Sequence, residues 1–173
     1  MLYARTFFPR LAVEATEKSK GMKLQGKDIV PSVPAGLVAT AAMTVVMLMA
    51  PLAGLPAINM PRIVGWSIGA PLSTGLVLNF LLGVALALLF GAFYSRQIAV
   101  SVWVHGVVFG VALWLLLQIV VGPLIGWGLF ASRTPLPLGT LLTSLLGHLV
   151  FGWTLGFVYE RIRLRMQSHS LPR

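Results

Sequence analysis

The chain has 173 residues, of which 57% are hydrophobic and 10% charged, and its mean hydropathy is +0.89. A soluble domain carries roughly 25% charged residues, so no water-facing surface can be assembled from this stock and the chain belongs to the membrane class. The net charge of +9 comes from 13 Lys and Arg against 4 Asp and Glu, and the absence of cysteine excludes disulfides, thiolate metal sites and iron–sulfur ligation.

Residues 1–30 form a basic tail, with no apolar core of the kind a signal peptide needs. Its apolar members (Leu2, Tyr3, Phe7, Phe8, Leu11, Val13) suit a short amphipathic element on the inner membrane surface, broken at Pro9, or docking on a partner. Beyond Asp28 the charges become sparse: Arg62, Arg96, Arg133 and Glu160 divide uncharged stretches at 29–61, 63–95, 97–132 and 134–159. Each exceeds the ~20 residues that cross a hydrocarbon core of about 30 Å. Spans are expected near 35–55, 71–94, 98–121 and 136–159. All are helices, because a lipid-exposed backbone must satisfy its own hydrogen bonds.

The fold class is therefore an all-α membrane protein. A four-helix transmembrane domain (31–160) lies between the tail 1–30 and a second basic tail, 161–173. The outer loops at 51–73 and 121–137 are apolar and proline-rich, each with one tryptophan (Trp66, Trp127), and read as interfacial turns or short helices. The inner connection around Ser95 to Gln97 is short enough for spans two and three to form an antiparallel hairpin. Eleven Lys and Arg fall on the side of the two tails and Arg96, against Arg62 and Arg133 on the other. That asymmetry puts both termini in the cytoplasm of a multi-pass bacterial inner-membrane protein. Lys18, Lys20, Lys23, Lys27, Arg161, Arg163 and Arg165 would then meet anionic lipids, a better explanation of the charge than nucleic-acid binding.

An internal repeat is visible. The run from Gly36 to Pro51-Leu52-Ala53-Gly54 resembles the run from Gly106 to Pro123-Leu124-Ile125-Gly126, and residues 79–90 lie on 148–159, pairing Gly83 with Gly152 and Ala87 with Gly156. A shift near 70 residues gives two parallel helical hairpins related by an axis along the membrane normal, although a shift of 64 matches Leu81-Leu82-Gly83 to Leu145-Leu146-Gly147 as well. Small residues recur four apart at Gly83, Ala87 and Gly91, at Gly106 and Gly110, and at Gly152 and Gly156. At that spacing they share a helix face and serve either packing within the bundle or a partner's helix.

His105 and His148 are the ionisable side chains inside the spans. His105 sits about seven residues, or ~10 Å, into span three, and His148 lies near mid-bilayer. Two histidines on adjacent helices are what a haem or a chlorophyll-type pigment would need. The plainer reading is an interhelical hydrogen bond from each, with Asn79, Gln118, Thr143 or Ser144 as partners. No Asp or Glu lies in a span, which weakens proton relay and ion-coupled transport. "GMKLQGKD" (21–28) imitates the start of a phosphate loop but has Asp28 where a magnesium-binding Ser or Thr is required. Met43, Met47 and Met49 suit packing better than copper binding. No nucleophile–base set or metal-spaced cluster appears, so neither catalysis nor a metal site is expected.

The stretch from Gly36 through Met43-Thr44 to Pro51, with His148-x-x-x-Gly152-x-x-x-Gly156-x-x-Tyr159, resembles a family of small bacterial four-span membrane proteins known only as a domain of unknown function. The resemblance covers about residues 34–160. It implies the architecture and no chemistry, and it departs at Asn79, where such sequences often carry a histidine.

Three functions fit these readings. The first is an accessory, non-catalytic subunit of a larger membrane complex for electron transport, with other integral membrane subunits as partners and lipids bound around it. The second is a small transporter or channel for a neutral or lipophilic solute, with a polar lane along Thr40, Thr44, Asn79, Gln118 and Thr143. The third is a haem- or chlorin-binding protein that uses His105 and His148.

Overall fold

In the computed structural model residues 26–94 and 101–169 are described, and their regular structure is helical throughout. Five α-helices define the frame: α1 (Gly26–Met49), α2 (Met60–Ser67), α3 (Leu72–Tyr94), α4 (Val102–Leu116) and α5 (Pro137–His169). A 3-10 turn, Ala50–Ala53, prolongs α1, while a wide π-type turn, Leu117–Val121, and one further turn, Gly122–Leu124, prolong α4. Four segments are long and apolar enough to cross a membrane: Ile29–Ala53, Leu72–Phe93, Val102–Leu124 and Pro137–Ser168. The chain is thus a multi-pass membrane protein of four spans, with α2 as a short fifth helix between the first two.

Two ends differ from expectation. Helix α1 starts at Gly26 and runs through Pro31 and Pro34. Proline reads as a breaker in water, but within a membrane bundle neighbouring helices and side chains compensate for the freed backbone groups, and Pro31 is fully buried. Helix α5 continues through Arg161, Arg163 and Arg165 to His169, so the basic segment after residue 160 is its last turns and not a separate tail. Arginine is a good helix former, and nothing in "RIRLRMQSH" breaks the pattern. The expected inner turn at Ser95 to Gln97, and nearly all of the basic N-terminal tail, lie outside the described residues.

The packing order is α3, α1, α5, α4, with α2 laid on α3. Helices α1 and α5 form the middle, and their neighbours sit very close because glycine removes the side chain at each crossing. A methyl group on Gly106 would strike the Gly152 carbonyl, and one on Gly110 the His148 carbonyl. In the other pair, Gly36 fits against Gly83 and Ala87, and Gly83 against Thr40. Toward the inner end the core is Ala35, Ala39, Ala87, Phe90, Val102, Phe151, Leu155 and Tyr159. There the Phe90 ring lies 5.5 Å from Phe109 and meets Tyr159 edge-on at 5.6 Å.

These crossings show the repeat in three dimensions. Gly36 on Gly83 and Ala87 corresponds to Gly106 on Gly152 and Gly156, and Thr40 on Gly83 to Gly110 on Gly152. Both Pro-Leu-x-Gly turns end in a left-handed glycine, Gly54 at φ 73° and Gly126 at φ 87°. The shift near 70 residues accounts for all of these pairs, and the shift of 64 for none. One hairpin is α1 with α3, the other α4 with α5. A strict two-fold relation would also make the α3–α4 contact a copy of the α1–α5 contact, and it is not. Helices α1 and α5 pack extensively, with Met47 filling the space over Gly147, whereas α3 and α4 barely touch. The position matching Gly147 in the first hairpin is Leu78.

Candidate functional site

The gap between α3 and α4 is a cavity of about 300 Å³, lined by α1, α2, α3, the outer half of α4 and α5. Its walls are almost wholly apolar: Met43, Leu82, Leu86, Leu113, Leu116 and Phe151 are typical, with Met60, Ile63 and Val64 of α2 closing the outer end. Helix α2 is held in place by Asn59, whose side chain accepts a hydrogen bond from the Arg62 amide at 3.0 Å, and by the close fit of Gly65 against Gly75.

Four polar side chains reach this space: Thr40, Ser67, Asn79 and His148. Two are already committed locally, since the Thr40 hydroxyl donates to the Gly36 carbonyl at 2.7 Å and the Ser67 hydroxyl to the Val64 carbonyl at 2.8 Å. The other two keep a polar atom unspent. His148 is 7% exposed, and its Nδ1 lies 2.7 Å from the Ser144 carbonyl one turn earlier. A carbonyl only accepts, so Nδ1 carries the proton and the neutral ring presents a lone pair at Nε2. Neither that Nε2 nor the Asn79 carboxamide has a hydrogen-bond partner among the described residues. Asn79 and His148 are equivalent positions in the two hairpins.

A second polar group lies outside the cavity. Ser144 Oγ accepts from Trp114 Nε1 at 3.1 Å and from Gln118 Nε2 at 2.9 Å, and donates to the Leu141 carbonyl at 3.0 Å. The Gln118 Oε1 beside it is buried without a partner among the described residues. Thr143 donates to the Pro56 carbonyl at 3.0 Å, tying α5 to the first outer loop. The expected polar lane therefore does not form. Thr40 and Asn79 face the cavity, Gln118 and Thr143 are spent on helix and loop contacts, and Thr44 donates to the Thr40 carbonyl at 2.7 Å.

Nor are the two histidines brought together. Gly110 is level with His148, which leaves His105 five residues nearer the inner end, ~7.5 Å along the axis and rotated by more than a quarter turn. The His105 Nδ1 lies 3.2 Å from the Ser101 carbonyl, and the residue does not line the cavity. His148 thus bonds a carbonyl of its own helix, and for it the expected interhelical tie is replaced by this local one.

The small-residue faces are all turned inward. Gly83, Ala87, Gly106, Gly110, Gly152 and Gly156 serve the two hairpins, and Gly91 is buried. At the C-terminal end of α5, Trp153 and Phe157 stack at 5.4 Å and the Arg161 guanidinium lies 5.0 Å from the Phe157 ring centre, an outward stripe continued by Arg165, while Arg163 is half-buried on a different face of the helix. Lys18, Lys20 and Lys23 lie outside the described residues, as does the Lys27 side chain.

Sequence reasoning missed the cavity because it arises from an interface that fails to close. The repeat alignment differs there, with a glycine at 147 against a leucine at 78, but a single such difference does not foretell a gap. It also missed α2 as a wall, although Asn59 before Met60-Pro61 is a helix-start signal.

A family of unknown function, DUF6789, matches residues 26–170. The chain belongs to that family. No curated protein and no solved structure matches it. The DUF6789 segment begins with α1 and ends just past α5, wider than the 34–160 expected from the sequence, so both helix extensions and the basic end of α5 are part of the family's unit.

Proposed function

We propose that this DUF6789 protein binds a neutral, lipophilic small molecule inside the bilayer and serves as a small carrier or transporter for it. One observation carries the reading: the α3–α4 interface stays open where its repeat counterpart is closed, leaving a cavity of about 300 Å³ beside the lipid phase. Ligand sites are mostly apolar concavities with a few convergent polar groups, starting near this size, and the lining matches that pattern. Charge asymmetry supports a placement with both termini in the cytoplasm of the inner membrane, so that the α2 end of the cavity faces the outer leaflet. Arg161, Arg163 and Arg165 would then rest among anionic headgroups.

The test is native mass spectrometry of the purified protein, released gently from detergent. The wild type should carry a bound lipophilic molecule, and Leu113→Trp, which fills the cavity, should carry none. Equal loading of both proteins would remove the cavity from consideration.

An accessory role in a larger electron-transport complex is the second reading. Outward apolar residues of α3, such as Val77 and Leu81, would meet the partner. The small-residue faces would not, because the bundle uses them itself. Migration as a free monomer in a native gel would count against this role.

A further inference from the structure

We infer that the cavity's ligand carries a hydroxyl group, which donates to Nε2 of His148 while Asn79 binds a second polar point of the same head. The inference rests on reading the cavity as a binding site and names the class of molecule it takes. Nδ1 of His148 is committed to the Ser144 carbonyl, so the neutral ring offers a lone pair and no donor to the cavity. In a low-dielectric interior a polar group without a partner is costly, and two such groups, on α3 and α5, border one apolar space. They occupy equivalent repeat positions, so duplication presents two polar residues to one cavity.

The rest of the lining sorts the candidates. It contains no charged side chain. A carboxylate, phosphate or ammonium head would lose its hydration without a counter-charge, and a neutral head is required. A hydrocarbon leaves both groups unpaired. A ketone, quinone or ester supplies only acceptors, which suit the Asn79 amide but repel the His148 lone pair. An alcohol or phenol satisfies His148 and retains oxygen lone pairs for Asn79. At roughly 30 Å³ per water-sized group, the space takes a head and on the order of ten heavy atoms, with any longer tail passing between α3 and α4.

Two probes of one shape decide this: dodecan-1-ol, and 1-methoxydodecane, which keeps the chain and removes the donor. Binding to the full-length protein in lipid nanodiscs is measured against empty discs, alongside nitrogen NMR of histidine-labelled protein. The alcohol should bind at least about fivefold more tightly than the ether and move the Nε2 resonance of His148. His148→Phe should abolish the preference of the alcohol over the ether. Equal binding of the two probes, with no change at Nε2, overturns the hydroxyl inference and leaves the cavity a binding site. Failure of both probes to bind removes the underlying reading as well. Should His148→Phe not fold, the wild-type preference and the Nε2 resonance still decide the matter.

Discussion

The Ser144 hydroxyl serves three partners at once, accepting from Trp114 and Gln118 and donating to Leu141. Removing it strands two donors in a space without water. Ser144→Ala should therefore destabilise the bundle by about 1–3 kcal/mol, the usual cost of unsatisfied buried groups, read as thermal unfolding in detergent. Gln118 behaves differently, because its Oε1 is already buried without a partner among the described residues. Gln118→Met removes that unpaired acceptor together with one hydrogen bond, and its unfolding temperature should stay near wild type or rise. A drop as large as that of Ser144→Ala would show that Oε1 does have a partner. Residue-scale chemistry was partly legible in the sequence. His148 could be singled out, since an ionisable side chain at mid-bilayer is informative by itself. Its hydrogen bond could not, because a same-helix carbonyl one turn back is available to every helical residue and leaves no mark in the pattern.

At the scale of elements, the four spans were readable because each is an uncharged run longer than a bilayer requires, and charges can only sit near the ends. Helix ends were less readable. Pro31 and Pro34 suggest a stop that bundle packing overrides, and Arg161 to His169 carries charge that a helix leaving the membrane accepts without penalty. Helix α2 depends on a narrower feature. A methyl group on Gly75 would meet the Pro61 carbonyl and the Gly65 backbone, so Gly75→Ala should lift α2 from α3. Because α2 closes the outer end of the cavity, the expected outcome is a faster ligand off-rate with little loss of bundle stability, and a change in the emission of Trp66, which is 75% exposed on α2. Gly106→Ala makes the contrast. It forces apart α4 and α5 across two glycine crossings, and overpacking of this kind costs about 1–3 kcal/mol.

For the whole molecule, the informative property is a symmetry that is present in the hairpins and absent between them. Gly36 and Gly106 make matching crossings, Pro51 and Pro123 open matching turns, and yet one inter-hairpin seam closes with Met47 over Gly147 while the other stays open. Two parallel hairpins place both chain ends on one side, and the excess of lysine and arginine there is the basis for the proposed cytoplasmic placement of that side. A cysteine-free chain makes this directly testable with single cysteines and a membrane-impermeant maleimide. Ser67→Cys, exposed at the α2 rim of the cavity, should label from outside intact cells, and Ser168→Cys, exposed on the last turn of α5, only after the membrane is opened. The Ser67 site also reports occupancy, because a molecule seated in the cavity screens its rim, so dodecan-1-ol should slow labelling at Ser67→Cys and leave Ser168→Cys unchanged. Labelling at both sites from the same side would contradict the three crossings between Ser67 and Ser168, on which the proposed placement of the cavity in the outer leaflet depends.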